Sequence, residues 1–359
     1  MKIEDFDKNL VVDSNITEDE EIVWFDVRQD PMKVYGLYDY KNTEHFMRLP
    51  LDIANKANGG VAAFSDSTAG GRIRFKTDSK FIALSVEYHD PMDLTGAFSP
   101  LGQSGFDFFA KFGNKYEFIR SFIPPVDASS FSALKYTRRQ EMTEYIIYMP
   151  PYQRVKNVYV GLDKSSSIEE TEGYPSEKPM VFYGSSITHG CMASRPGNSY
   201  VNILSRRFDT DIINLGFSGH ATGESAMAEY IAGFDMSLFV LDYDHNAPDA
   251  EYLKKTHEPF FKIIRNAHPD LPIVMVTRPD FEIEPEKCIE RRAVVRETYD
   301  NAVAAGDKNV WFVDGEKLFM DKDRELCTAD GTHPNDLGFY RMACVIGDEI
   351  EKALAAKKS

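Results

Sequence analysis

Ser186 stands in the run Phe-Tyr-Gly-Ser-Ser-Ile-Thr-His-Gly at 182–190, where a short apolar segment ends. A glycine at such a point permits a tight turn, and a serine can stand at the mouth of the following helix. A hydroxyl at its ordinary pKa is a weak attacker, so it needs a base within hydrogen-bond reach and a third group to orient that base. His333 and Asp330 could supply both from one loop, Thr-Ala-Asp-Gly-Thr-His-Pro-Asn at 328–335. The carboxylate comes three residues before the imidazole, close enough to fix its tautomer and stabilise its cation. The chemistry of this trio is acyl transfer through a serine nucleophile.

Acyl transfer also needs donors aimed at the developing oxyanion. Two loops offer them: Asn-Leu-Gly-Phe-Ser-Gly at 214–219 and Asp-Tyr-Asp-His-Asn at 242–246. Gly219, lacking a side chain, could present its backbone N–H at close range. Asn246 could add its amide, and Ser186 its own N–H. His268 also lies near proline, but it ends an amphipathic stretch and reads as a helix-terminal residue.

These loops must be held by a scaffold, and the periodicity of the second half describes one. Short apolar runs at 179–183, 211–215, 237–242, 272–277 and 309–313 alternate with amphipathic stretches such as 249–267, whose Leu253, Phe260, Phe261, Ile263 and Ile264 give an apolar face. Five buried parallel strands in a doubly wound α/β sandwich follow, and in such folds ligands bind beyond the carboxyl ends of the strands. Every chemical motif falls at such an end, and the histidine loop precedes an amphipathic C-terminal stretch at 336–356.

The first half has a different period. Alternating segments at 23–27, 72–76, 81–88, 106–112, 116–120, 144–148 and 157–162 predict strands of a β-sandwich. Gly113-Asn114 suits a tight hairpin between two of them. The aromatic residues Phe106, Phe108, Phe109 and Phe112 have strand spacing and read as core. The stretch 163–178 is polar and poor in apolar anchors, as in a surface linker, so the expected domains are 1–175 and 176–359.

Composition bounds the rest. The 359 residues are 43% hydrophobic and 13% aromatic, enough for two filled cores. A net charge of −16 repels polyanions, so neither nucleic acid nor a membrane surface is an expected partner. No run approaches the ~20 apolar residues of a membrane helix, and the first residues lack the apolar core of a secretory signal. The four cysteines, Cys191, Cys288, Cys327 and Cys344, are scattered without a Cys-x-x-Cys pair, which suits reduced thiols and a cytoplasmic location. Homo-oligomerisation stays open.

Taken in order, Gly-Ser-Ser-Ile at 184–187, the block at 214–219, Asn246 and Asp-Gly-Thr-His at 330–333 resemble the four blocks of the SGNH (or GDSL) hydrolases. The form Gly-Ser-Ser-Ile-Thr, with Ala-Ser-Arg-Pro-Gly at 193–197 and His-Pro-Asn-Asp at 333–336, is similar to a bacterial two-domain subgroup with an N-terminal β-sandwich. The resemblance implies a flavodoxin-like three-layer catalytic domain behind a jelly-roll-like all-β domain. It implies Ser186 as nucleophile, His333 as base, Asp330 as its partner, and Ser186, Gly219 and Asn246 around the oxyanion. The usual aspartate after the first glycine is here Ser185, leaving two adjacent serines, of which the family frame selects Ser186. A small-molecule or oligosaccharide ester, acetylated on a sugar, is the implied substrate, with no cofactor and no metal.

Arg195 and Asn198, just past the nucleophile, are candidate substrate contacts. His189 could line the acyl pocket or pack the start of the helix. The alternative to an esterase is a metal-dependent phosphoesterase using Asp242, Asp244 and His245 with Asp330 and His333. A catalytically weak glycan-binding relative is a further alternative.

Overall fold

The computed structural model describes Ile16 and residues 21–356, apart from 97, 114, 138 and 139. The chain forms two compact units. The first comprises the described residues up to Met47 with Asp66–Gly173 and Ser194–Gly197, and the second comprises Arg48–Ser65, Tyr174–Ala193 and the described residues from Asn198 onward. The second unit thus takes a piece of the N-terminal half, carrying the short helices α1 (Leu51–Ala57) and α2 (Gly59–Ala63).

The first unit contains β1 (Ile22–Asp26), β2 (Lys33–Tyr35), β3 (Arg72–Thr77), β4 (Phe81–Tyr88), the short helix α3 (Pro100–Ser104), β5 (Phe106–Phe112), β6 (Lys115–Phe122), β7 (Ser130–Tyr136), β8 (Thr143–Tyr148), β9 (Val155–Asp163) and β10 (Ile168–Glu169). One antiparallel sheet has the order β1-β9-β4-β7; the other runs β10-β3-β8-β5-β6, with β2 also on β3. Alternate residues of the two sheets meet in one core, among them Ile82, Leu84 and Val86 of β4 and Phe106 and Phe108 of β5. Phe109 points the other way and packs with Ile146 and Tyr148, while Phe112 is only partly buried. Three strands were not foreseen. Strand β7 carries an alternating Phe131/Ala133 signal, whereas β2 and β10 are too short for any period. Strand β10 lies inside the polar stretch, held by Ile168, which packs against the core, and by pairing with Thr77 and Lys76. Gly113 adopts the positive φ of +58° that its hairpin needs; Asn114 lies outside the described residues.

In the second unit β11 (Met180–Gly184), β12 (Ile212–Gly216), β13 (Leu238–Asp242), β14 (Ile273–Val276) and β15 (Val310–Val313) form one parallel sheet of order β12-β11-β13-β14-β15. This is the flavodoxin-like order, which places its switch point between β11 and β13. The strands are almost entirely buried, as a sheet covered on both faces requires. The helices are α4 (Ser186–His189), α5 (Tyr200–Phe208), α6 (Ser225–Ala232), α7 (Ala250–Ala267), α8 (Pro285–Ala304) and α9 (Asp336–Ala356). Asp249 caps α7 by accepting from the Tyr252 N–H at 2.7 Å, which stops the preceding loop where the apolar face begins. Among the described residues no helix is long and apolar enough to cross a membrane.

Candidate active site

Ser186 opens α4 directly beyond the end of β11, at the switch point of the sheet. The turn is tight because two glycines leave no side chain in the way. A Cβ on Gly184 would lie 2.1 Å from Thr188 Oγ1, and one on Gly216 would lie 2.3 Å from the His189 nitrogen. Asn214 holds the turn from the neighbouring strand, its amide donating to the Thr188 carbonyl at 2.8 Å.

The adjacent serines have separate jobs. Ser185 is buried, and its Oγ caps α4 by accepting from the Ile187 N–H at 3.2 Å. Ser186 instead directs its Oγ to His333 Nε2 at 2.9 Å. The opposite ring nitrogen, Nδ1, donates to Asp330 Oδ2 at 2.7 Å, which leaves Nε2 to accept the Ser186 proton. Asp330 is fixed by its own loop: Oδ1 accepts from the N–H groups of Thr332 at 3.0 Å and His333 at 2.7 Å. Gly331 between them has φ +89°, a conformation that favours glycine. Burial pushes the Asp330 carboxyl up, but the His333 N–H and ring and the Thr332 N–H outweigh it and hold the group below its ordinary range. Asp330 is therefore a carboxylate at neutral pH.

The candidate oxyanion donors lie on the loops that follow β12 and β13. Gly219, at φ +71°, is exposed, and no hydrogen bond to its N–H occurs among the described residues. The Asn246 amide gives one hydrogen to the Phe217 carbonyl at 3.0 Å, which orients the group and leaves a second N–H. Phe217 is tied in turn to the nucleophile strand, its N–H donating to the Gly184 carbonyl at 2.9 Å. The first N–H groups of a helix have no intrahelical acceptor, which leaves that of Ser186 available.

The candidate substrate contacts are placed otherwise. His189 is fully buried, and its Nδ1 accepts from the Ser218 N–H at 3.4 Å and lies 3.2 Å from the Ser218 hydroxyl. With its ring edge-on to Phe64 at 5.3 Å, it packs the start of the helix and links it to the glycine block. Arg195 belongs to the first unit, where its guanidinium pairs with the fully buried Asp107 at 2.5 Å and lies 4.0 Å over the Phe118 ring. That is a structural ion pair, because freeing the arginine for a ligand would strand a buried carboxylate. Asn198 donates to Asp336 at 2.8 Å.

The acidic residues near Asn246 turn to different partners. Asp242 accepts from the Thr188 hydroxyl at 2.9 Å and the Tyr200 hydroxyl at 2.8 Å, Asp244 from the Arg278 N–H at 3.1 Å, and His245 lies 3.3 Å from Asp280. Among the described residues no three His, Cys, Asp or Glu side chains converge as metal ligands, so the donor set of the phosphoesterase alternative does not assemble. The partners of Asp242 are thus side chains of α4 and α5, which no local pattern announces.

Burial, reinforced by the charge of Asp244, raises the Asp242 carboxyl to about 8. The unfolded chain would titrate this group near its ordinary value of ~3.9. A raised acid contributes stability that is complete below the unfolded pKa and is lost as pH rises toward the folded one. Asp242→Asn keeps both hydroxyl bonds and cannot ionise. Its stability relative to the native protein should therefore grow between about pH 4 and 8, by up to ~1.4 kcal/mol per pH unit. Urea unfolding at pH 5 and pH 8 measures this; an equal difference at both would show that Asp242 does not take up its proton on folding.

Comparison with known proteins agrees with this architecture. A Bacteroides ovatus protein described as a GDSL-like lipase shares 28% identity over 93% of this chain and 98% of its own, with a TM-score of 0.84. A salicylyl-acyltransferase from a tetracycline biosynthetic pathway shares 20% identity over 94% and 98%, with a TM-score of 0.76. An acetyl xylan esterase from the rumen bacterium Butyrivibrio proteoclasticus shares 11% over 93% and 99%, with a TM-score of 0.60. The last two are likenesses of fold. Among curated proteins none matches the chain. Residues 22–168 match the model for the N-terminus of SGNH-hydro-type esterases and residues 177–351 that of the GDSL-like lipase/acylhydrolase family, so the chain belongs to the SGNH/GDSL hydrolases in their two-domain form.

Proposed function

We propose that the protein is a serine esterase that removes small acyl groups, chiefly acetyl, from carbohydrates. The observation that carries the mechanism is the hydrogen-bonded line from Ser186 Oγ through the His333 ring to Asp330. In this reading His333 Nε2 takes the proton of Ser186 as Oγ attacks the ester carbonyl. The tetrahedral oxyanion is met by the N–H groups of Ser186 and Gly219 and by the free amide hydrogen of Asn246. His333 then protonates the departing sugar oxygen, leaving an acyl group on Ser186. Water, deprotonated by the same imidazole, attacks the acyl-enzyme and releases the acid. Asp330 stays ionised throughout and stabilises the imidazolium.

What supports a carbohydrate substrate is the fold shared with an acetyl xylan esterase. The net charge of −16 fits a polar substrate better than an anionic lipid interface. The test is acetate release from acetylated xylo- and manno-oligosaccharides, set beside p-nitrophenyl acetate and the octanoate ester. Higher kcat/KM for acetylated oligosaccharides than for octanoate is expected. Cleavage of p-nitrophenyl esters with no acetate released from any saccharide would retain the serine esterase and remove the sugar.

A further inference from the structure

The second unit is completed by Arg48–Ser65, a segment that lies in sequence between β2 and β3 of the β-sandwich. Its first residue is buried, although moving an arginine out of water costs several kcal/mol unless the guanidinium is well paired. Here it is paired with backbone carbonyls. Arg48 Nη1 donates to the carbonyls of Asn214 at 3.1 Å and Gly216 at 2.6 Å, and Nη2 donates to that of Phe64 at 2.7 Å. The guanidinium also lies 4.6 Å from the centre of the Phe217 ring.

The position of these carbonyls gives the contact its meaning. Among the described residues strand β12 pairs only with β11, at the edge of the parallel sheet. Carbonyls two residues apart point to the same side of a strand, and those of Asn214 and Gly216 meet Arg48 where a further strand would otherwise pair. Directly beyond them comes Phe217, whose carbonyl orients the Asn246 amide, and then Gly219. The same segment also holds the far side of this turn. Asn58, while capping α2 through Gly60 and Val61, donates to the His220 carbonyl at 2.9 Å, one residue past Gly219. The turn that bears the oxyanion donors is therefore gripped just before and just after by side chains from the N-terminal half of the chain.

We propose that Arg48 and Asn58 are positioning residues for the oxyanion donors, Arg48 by setting the end of β12 and Asn58 by fixing the turn at His220. The inference rests on the acyl-enzyme reading above. It also means that the hydrolase unit is not contiguous in sequence: the stretch 177–351 matched by the GDSL family lacks both grips.

The test uses the full chain with Arg48→Lys, which keeps the charge but not the fork, and Asn58→Ser, which keeps a cap but cannot reach His220. Steady-state kinetics on p-nitrophenyl acetate and inhibition by a boronic acid, whose tetrahedral adduct mimics the oxyanion, are read beside circular dichroism. Misplaced donors weaken transition-state binding more than substrate binding. Arg48→Lys should lower kcat by about 10–100-fold and Asn58→Ser by about 3–10-fold, below the loss from deleting a donor outright. KM should stay within about twofold, and the boronate inhibition constant should rise with the loss in kcat. Each effect should shrink when Asn246→Ala is already present, because the residues act through the same donors. Wild-type kcat in the folded variants would overturn the inference, and if Arg48→Lys does not fold, Asn58→Ser decides. Should a fluorophosphonate fail to label Ser186 in the native protein, the underlying reading falls and this inference with it.

Discussion

Ser186→Ala should lower kcat on p-nitrophenyl acetate by about 10⁴–10⁶-fold, whereas Ser185→Ala should remain an active enzyme of reduced stability. The first figure is the typical loss when the nucleophile of a serine hydrolase is removed, since its base and oxyanion donors then have nothing to activate. Only Ser186 has its hydroxyl on the His333 ring, at 2.9 Å. Ser185 is buried and caps α4, and losing such a cap costs about 0.5–2 kcal/mol. A fluorophosphonate followed by peptide mapping separates the two directly: label on Ser186 is expected in both native and Ser185→Ala protein, and none in Ser186→Ala. Label on Ser185, or full turnover in Ser186→Ala, would sink the assignment. The aspartate usual at this position in the family is thus replaced by a serine whose hydroxyl caps the turn.

Asn246→Ala should cost about 100–1,000-fold in kcat, or ~2.7–4 kcal/mol of transition-state stabilisation, with little change in KM. The amide is held by the Phe217 carbonyl at 3.0 Å, so the group is oriented before substrate arrives. The same substitution strips a donor from Phe217, but that carbonyl also accepts the N–H groups of His220 at 3.0 Å and Ala221 at 3.2 Å, so the turn should survive. Thermal unfolding beside kinetics distinguishes the cases. A fall in kcat with an unchanged melting temperature supports the oxyanion role, and a loss of less than about tenfold would assign Asn246 to loop structure alone.

Much of the catalytic half was legible because its signals are local. Five apolar runs became β11 to β15, each within a residue or two, since a buried parallel strand must be apolar throughout and its neighbours must be helices. The stretch 336–356 became α9, where Asn335 Oδ1 caps the start by accepting from Leu337 and Gly338. Asp330 and His333 meet because one short loop carries both. In the β-sandwich the longer strands were legible by alternation, while β2 and β10 were not, since two or three residues carry no period.

By itself, then, the sequence determined the fold class, the order of the motifs, the strand ends on which Ser186, Gly219 and Asn246 fall, and the loop before α9 that carries His333. The family frame selected Ser186, and the tertiary structure gave the two serines their separate partners, because a cap and a nucleophile differ only in where the hydroxyl points. It buried His189 against Ser218 and Phe64 and paired Arg195 with Asp107. It brought Arg48 to the Asn214 carbonyl, 166 residues away along the chain. The physical reason is common to all three. Hydrogen bonds to backbone and ion pairs across a fold depend on where chain segments meet in space, and a side chain bound to a distant carbonyl leaves no mark in its own sequence neighbourhood.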